Sequence, residues 1–220
     1  MPSLKSKILV VDDHPVFREG LVRVLNEEKD LTVCGEAADA VEALRLLRTL
    51  KPDLVVVDIS LEGMSGIDLT KSIRAHHPHL FILVLSMHKE SLYAERALRA
   101  GANGYLMKRE SGRRLLGAIR HVLQGQTYVS DDFKEHILRG AMGAKEGMES
   151  SPAKRLSDRE FEIFRMIGQG YGTRQIAEQL NLSMKTVETH REHIREKMNL
   201  RNTFELVQQA IQWGHAESDQ

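Results

Sequence analysis

Ile8-Leu9-Val10-Val11-Asp12-Asp13 is the stretch on which the reading of this chain turns. Four consecutive apolar residues ending in acids are too few for a signal peptide and far too few to cross a bilayer. They suit a strand buried on both faces. Outward from it, short apolar runs recur at 32–34, 54–57, 81–85 and 104–107. The segments between carry a helical period: Phe17, Leu21, Val24 and Leu25, then Val41, Leu44, Leu47 and Leu50. Five strands alternating with helices predict an α/β fold, a doubly wound five-stranded parallel sheet in the order 2-1-3-4-5.

With 220 residues, 41% of them hydrophobic, the chain has material for one or two packed domains. Basic and acidic side chains both total 31, giving zero net charge, so any nucleic acid must be gripped by a local surface. The single cysteine, Cys34, excludes an internal disulfide and a multi-thiolate zinc site, and predicts a cytoplasmic protein. Charge balances on both sides of residue 150, so the domain boundary comes from texture. Residues 140–152 hold three glycines, two serines and a proline with no apolar period, which reads as a joint at roughly 140–155. The domain limits are therefore set at 1–125 and 156–216, with 126–155 between them.

The chemistry of the first domain lies where its strands end. Asp12 and Asp13 close the first strand and Asp58 the third, and in the order 2-1-3-4-5 these strands are neighbours. Three carboxylates this close repel unless a cation intervenes, and an oxygen-only site suits Mg²⁺. Ser86 closes strand four with a hydroxyl, and Lys108 follows strand five with a compact positive charge. Any one of these would pass as a soluble loop residue. Five at four successive strand ends are harder to dismiss.

The set resembles the receiver domain of bacterial two-component response regulators over about residues 6–125. The resemblance implies that Asp58 takes a phosphoryl group from a partner histidine kinase, with Asp12, Asp13, Asp58 and the Ser60 backbone carbonyl around Mg²⁺. Attack of an anionic carboxylate on an anionic phosphoryl group requires positive charge nearby, which Mg²⁺ and Lys108 supply. Ser86 then hydrogen-bonds the new group and draws its loop inward. Tyr105 resembles the family's switch aromatic, which fills the space so vacated. One departure stands out: the loop after the acceptor usually carries a proline, and here Glu62 occupies that place. It is expected to loosen the loop and alter phosphoryl lifetime.

After the joint the pattern is helical only. Ser157-Asp-Arg-Glu160 is a capping box, Leu156 and Phe161 have the spacing of a hydrophobic staple, and Thr173, Ser183 and Thr203 are read as caps of three further helices. Gly170-Tyr-Gly172 is read as a helix terminator. A helix, a tight turn and a second capped helix make a helix-turn-helix unit within a small all-α four-helix domain. With Gln175-Ile-Ala-Glu-Gln-Leu180 and Lys185-Thr-Val-Glu-Thr-His190, this stretch resembles the LuxR-type DNA-binding domain. Together with the receiver, that gives the NarL/FixJ class.

On the third helix of this domain, Val187, Arg191, Ile194 and Met198 turn toward the core, while Lys185, Glu188, Thr189, Glu192 and Glu196 point away. The outward face is expected to enter the major groove of double-stranded DNA, with Lys185, Thr186, Glu188, Thr189, Arg191 and Glu192 at the interface. Phosphate contacts are assigned to Arg174, Arg195, Lys197, Arg201, Lys154 and Arg155. Leu206, Val207, Ala210 and Ile211 stripe the last helix; the resemblance implies homodimers through it and an inverted-repeat operator. His190 and His193 have ligand-like spacing but no third ligand in sequence, so no metal is assigned to them, and His14 is read as a loop residue.

Two other classes fit these residues less well. A phosphohydrolase with an aspartyl nucleophile wants a second aspartate two positions on, where Ser60 stands. A regulator sensing a small diffusible ligand needs an apolar pocket rather than an acidic one. Closer at hand is a receiver that works unmodified, which the complete acid set argues against.

Overall fold

The computed structural model describes residues 5–141 and 155–218. Most of the joint read from sequence, and Lys154 with it, lies outside the described residues. The chain divides into two compact units, one ending at Gly143 and the other beginning at Ala144.

The first unit carries β1 (Ser6–Val11), β2 (Leu31–Ala37), β3 (Leu54–Asp58), β4 (Phe81–Ser86) and β5 (Gly104–Met107) in one parallel sheet, ordered β2-β1-β3-β4-β5. The helices between and after them are α1 (Pro15–Asn26), α2 (Ala40–Leu50), α3 (Gly66–His76), α4 (Glu90–Arg99) and α5 (Gly112–Leu123). Alternate strand residues explain the unbroken apolar runs. Ile8, Val10, Leu54, Val56, Leu83 and Leu85 pack with Leu21 and Leu25 of α1 and Leu115, Ile119 and Val122 of α5. Their neighbours Leu9, Val11, Val55, Val57, Ile82 and Val84 face the other way and are equally buried, so both faces are covered.

The segment 126–155 is not featureless. Tyr128 bridges the edge of β5 at Gly104, with the Tyr105 N–H donating to the Tyr128 carbonyl at 2.8 Å. A further helix, α6 (Asp131–Ala141), follows it. The Glu90 carboxylate accepts from the Ser130 N–H at 2.8 Å, and Val129 and Phe133 are buried, so this stretch packs as part of the first unit.

The second unit consists, among the described residues, of α7 (Asp158–Gly168), α8 (Thr173–Gln179), α9 (Met184–Met198) and α10 (Thr203–Ser218). Its core is Phe161, Phe164, Ile167, Ile176, Val187, Ile194, Leu206 and Ala210. Gly168 lets α7 and α10 cross closely, since a Cβ there would meet the Ala210 carbonyl oxygen at 2.4 Å. The capping box is present, with Ser157 and Glu160 bonding each other's backbone, and Gly170 (φ 88°) ends α7. Ser183 caps α9 by accepting from the Thr186 N–H. Two other caps fall one residue before the positions read from sequence. Gly172 precedes α8, its N–H held by the Gln175 side chain, and Asn202 accepts from the Glu205 N–H at the start of α10.

Candidate functional site

Strand order places the acids. Because β1 and β3 are neighbours, their carboxyl ends bring Asp12 and Asp58 together, and the loop after β5 returns Lys108 between them. The ammonium lies 2.7 Å from Asp12 Oδ2 and 2.8 Å from Asp58 Oδ2. All three side chains are at most 4% exposed. Lys108 also sits 4.5 Å above the Phe17 ring, so α1 closes one side of the charge cluster. Asp58 Oδ1 is buried without a hydrogen-bond partner among the described residues. Burial raises the Asp58 carboxyl above the usual range; Lys108 pulls it back, Asp12 adds to the rise, and the Ser60 N–H offsets part of it.

Asp13 and His14 complete the mouth. Asp12, Asp13, His14 and Asp58 each bring one ligand atom within 4.8 Å of the others. Three carboxylates round a single ammonium leave negative charge uncompensated, and together with the orphaned Asp58 oxygen this donor set fits a hard divalent cation such as Mg²⁺. His14 lies in the loop before α1, as read from the sequence, and its exposed ring borders the pocket, with Nδ1 2.6 Å from Asp13 Oδ1 and 3.8 Å from Asp58 Oδ2.

Gly66 governs how closely α3 approaches. A Cβ at this position would lie 2.0 Å from the Asp58 carbonyl oxygen, and the Gly66 N–H donates to the Ile59 carbonyl at 2.8 Å. The loop between β3 and α3 is further held by buried Ile59 and Leu61, by the Ile59 N–H on the Leu85 carbonyl, and by Gly63 at φ 79°. Glu62 projects from this anchored loop into solvent.

Ser86 and Tyr105 are both fully buried. His88 joins them: its N–H donates to Ser86 Oγ at 2.9 Å, and its carbonyl accepts from the Tyr105 hydroxyl at 2.8 Å. The His88 ring stacks on Tyr93 of α4 (4.8 Å, 23°) and its Nε2 lies 3.2 Å from Ser60 Oγ. Thus one residue ties the loop after the acceptor, the loop after β4 and the buried tyrosine. Sequence reasoning missed it; the only signal was a histidine two positions past Ser86.

In the second unit Lys185, Glu188, Thr189, Glu192 and Glu196 are all exposed, while Val187 and Ile194 are buried. Thr186 is half-buried, its hydroxyl 2.8 Å from Ser183 Oγ. Arg191 is also half-buried and reaches Thr173 Oγ1 at 3.3 Å; burial lowers its guanidinium from the ordinary value. Arg174 pairs with Glu178 at 2.9 Å and Arg195 with Glu192 at 3.0 Å, both at or near the surface. Lys197 turns its ammonium to both oxygens of buried Glu160, at 2.9 and 2.7 Å, while its side chain stays 45% exposed. On α10, Leu206 and Ala210 are buried, but Ile211 and Phe204 are exposed, so the apolar stripe is only partly core.

Comparison with known proteins agrees with both halves. Residues 8–120 match the response regulator receiver domain, and residues 154–210 match the bacterial regulatory proteins of the luxR family. The oxygen regulatory protein NreC of Staphylococcus epidermidis is 39% identical over 210 residues, covering 93% of this chain and 96% of that protein. NreC of Staphylococcus carnosus is 37% identical over 209 residues, with the same coverage. Among solved structures, a LuxR-family two-component response regulator from Aurantimonas sp. SI85-9A1 is 39% identical with a TM-score of 0.59, covering 63% of this chain and 99% of its own. RcsB of Salmonella enterica serovar Typhimurium, bound to promoter rprA with the phosphomimetic BeF3-, is 26% identical with a TM-score of 0.65, covering 93% of this chain and 97% of its own. Acid pocket, helix-turn-helix and both matches converge: the chain belongs to the NarL/FixJ class of response regulators, two-component transcription regulators that join a receiver to a LuxR-type DNA-binding domain.

Proposed function

We propose that Asp58 is the phosphoacceptor, that a histidine kinase is the donor, and that the modification controls DNA binding by α9. The observation that carries this reading is the buried Asp12–Lys108–Asp58 cluster at the strand ends, with one Asp58 oxygen unpartnered. That oxygen is the one free to attack phosphorus, and an O–P bond forms as the donor's bond to phosphorus breaks. Lys108, already 2.8 Å from the other Asp58 oxygen, is placed to neutralise an incoming phosphoryl oxygen. When bound, Mg²⁺ supplies further positive charge to the phosphoryl oxygens, and Asp12, Asp13, Asp58 and the Ser60 carbonyl are the groups assigned to hold it.

Ser86 meets the new anion with its hydroxyl. That hydroxyl now accepts from His88, so recruiting it moves the loop that also holds the Tyr105 hydroxyl. A local hydrogen-bond exchange thereby becomes a packing change on the α4–β5 side, where Tyr105 acts as the switch aromatic. The switch biases two states already in equilibrium, and its effect is bounded by their differential stability.

On DNA, Lys185, Thr186, Glu188, Thr189 and Glu192 are assigned to base edges and Arg174, Arg191 and Arg195 to phosphates. The exposed Phe204 and Ile211 on α10 support a homodimer on an inverted repeat, with half-sites about one helical turn apart. Membership of the response regulators supports a cytoplasmic location, and no helix among the described residues is long and apolar enough to cross a membrane. By function the receiver spans 1–125, the connection 126–155, with α6 inside it, and the DNA-binding domain 156–216.

Incubation with a small acyl phosphate and Mg²⁺, followed by titration of operator DNA, tests the reading. Mg²⁺-dependent tightening that Asp58→Asn abolishes supports it. Equal affinity in every condition refutes regulated binding.

A further inference from the structure

The fold supplies what the sequence lacked at His190 and His193. Glu160, on α7, faces the two histidines of α9, and one ligand atom from each of the three lies within 4.8 Å of the others. We propose that Glu160, His190 and His193 form a zinc-binding site that clamps the capped start of α7 to the DNA-reading helix.

The donor atoms are available without dismantling the domain. His190 Nδ1 is buried with no hydrogen-bond partner among the described residues, an arrangement that costs free energy unless something binds it. The His190 and His193 rings stand 6.5 Å apart at 88°, and a ring nitrogen of each lies within 4.8 Å of the other's and of a Glu160 oxygen. Glu160 Oε2 accepts the Ser157 N–H of the capping box at 2.7 Å and can remain there. Oε1 is not held by that backbone and lies 3.9 Å from His193 Nδ1. Zinc holds nitrogen and oxygen at roughly 2.0–2.2 Å, so ligand atoms in a tetrahedral site stand about 3.3 Å apart. Side-chain rotation of an ångström or so closes the difference, and water fills the fourth position.

The competitor is Lys197, whose ammonium now binds both Glu160 oxygens. Its side chain is 45% exposed, so its head returns to water when displaced. Arg159, another cation close to the cluster, is held by Glu162 at 2.8 Å. Two imidazoles with one carboxylate select zinc and its neighbours among first-row metals over Mg²⁺, which separates this site from the oxygen-rich pocket of the receiver. The outward residues Lys185, Glu188, Thr189 and Glu192 supply none of the ligands, so the clamp stiffens the reading helix without covering its DNA face.

The test uses tag-free full-length protein with Co²⁺ as a spectroscopic stand-in, in excess Mg²⁺ to fill the carboxylate pocket. Visible absorption of cobalt bound to imidazole is expected, displaced by Zn²⁺ and lost in His193→Ala, whose side chain is half exposed, so that its removal opens no cavity in the core. In parallel, thermal unfolding is followed by fluorescence of Trp213, which packs 5.2 Å from Phe161 on α7. Zn²⁺ should raise that midpoint in the parent and leave His193→Ala unmoved. An undiminished cobalt spectrum in His193→Ala, or an equal Zn²⁺ shift in both proteins, overturns the assignment.

Discussion

Asp58→Asn should stabilise the receiver even as it removes the proposed acceptor. Burial raises the Asp58 carboxyl, so the folded state holds its proton more tightly than the unfolded chain does. Stability from that proton is complete below the unfolded carboxylate value and disappears as pH rises through the folded value, so at neutral pH the full penalty of a buried carboxylate is present. The penalty is visible in the geometry: Oδ1 is buried and unpartnered. An orphaned buried polar group costs about 1–3 kcal/mol, and more when it is charged; asparagine keeps a polar atom there but removes the charge, so the gain is that excess, of the same order. Lys108 keeps Asp12 at 2.7 Å, so the substitution strands no ammonium. A gain of about 1–3 kcal/mol, at roughly 4 °C per kcal/mol for a unit of this size, means a rise of roughly 4–12 °C. Calorimetry of the full chain in a chelator measures it. Because the chain's one tryptophan, Trp213, lies in the second unit, its fluorescence identifies the transition that should not move. The gain should shrink toward acid pH, where Asp58 is protonated in the parent. An unchanged or lowered receiver midpoint at neutral pH would refute the reasoning.

Other outcomes follow from single contacts. Gly66→Ala places a methyl 2.0 Å from the Asp58 carbonyl oxygen, so α3 must retreat; a loss of about 1–3 kcal/mol on urea unfolding and slower phosphoryl uptake are expected. At Glu160, burial raises the carboxyl but Lys197 and the Ser157 cap outweigh it, leaving the group below its ordinary value. Its contribution is therefore present above the unfolded carboxylate value and lost as pH falls through the folded one. Trp213 fluorescence should accordingly report a steeper acid loss in the parent than in Glu160→Gln. On DNA, Arg174→Ala should weaken every sequence alike and reduce the salt slope by about one, whereas Glu188→Gln should change base preference in a binding-site selection. Glu62→Pro should change the dephosphorylation rate, and an unaltered rate would show that this loop does not limit turnover.

Strands buried on both faces write themselves as unbroken apolar runs, and β1, β3 and β4 were legible for that reason. The acids were legible because strand ends converge once the order is known. Contacts made across the fold left weaker traces. Tyr128 pairs with β5 from a stretch with no period of its own, so it reads as connection. His88 gains its partners only when the loop after β4 folds back over Tyr105. Lys197 looks like a phosphate ligand on a helical wheel, and only the packing of α7 against α9 shows that it neutralises Glu160. The same packing brings Glu160 to His190 and His193, a grouping that spacing along the chain could not announce.

The central claim is that one buried carboxylate becomes an acyl phosphate. Intact-mass spectrometry of the full chain after exposure to a phosphorylated histidine kinase domain and Mg²⁺ tests it most directly. A gain of one phosphoryl group, acid-stable but lost to hydroxylamine and absent from Asp58→Asn, is the outcome this account requires. No adduct, or an equal adduct on Asp58→Asn, would contradict it.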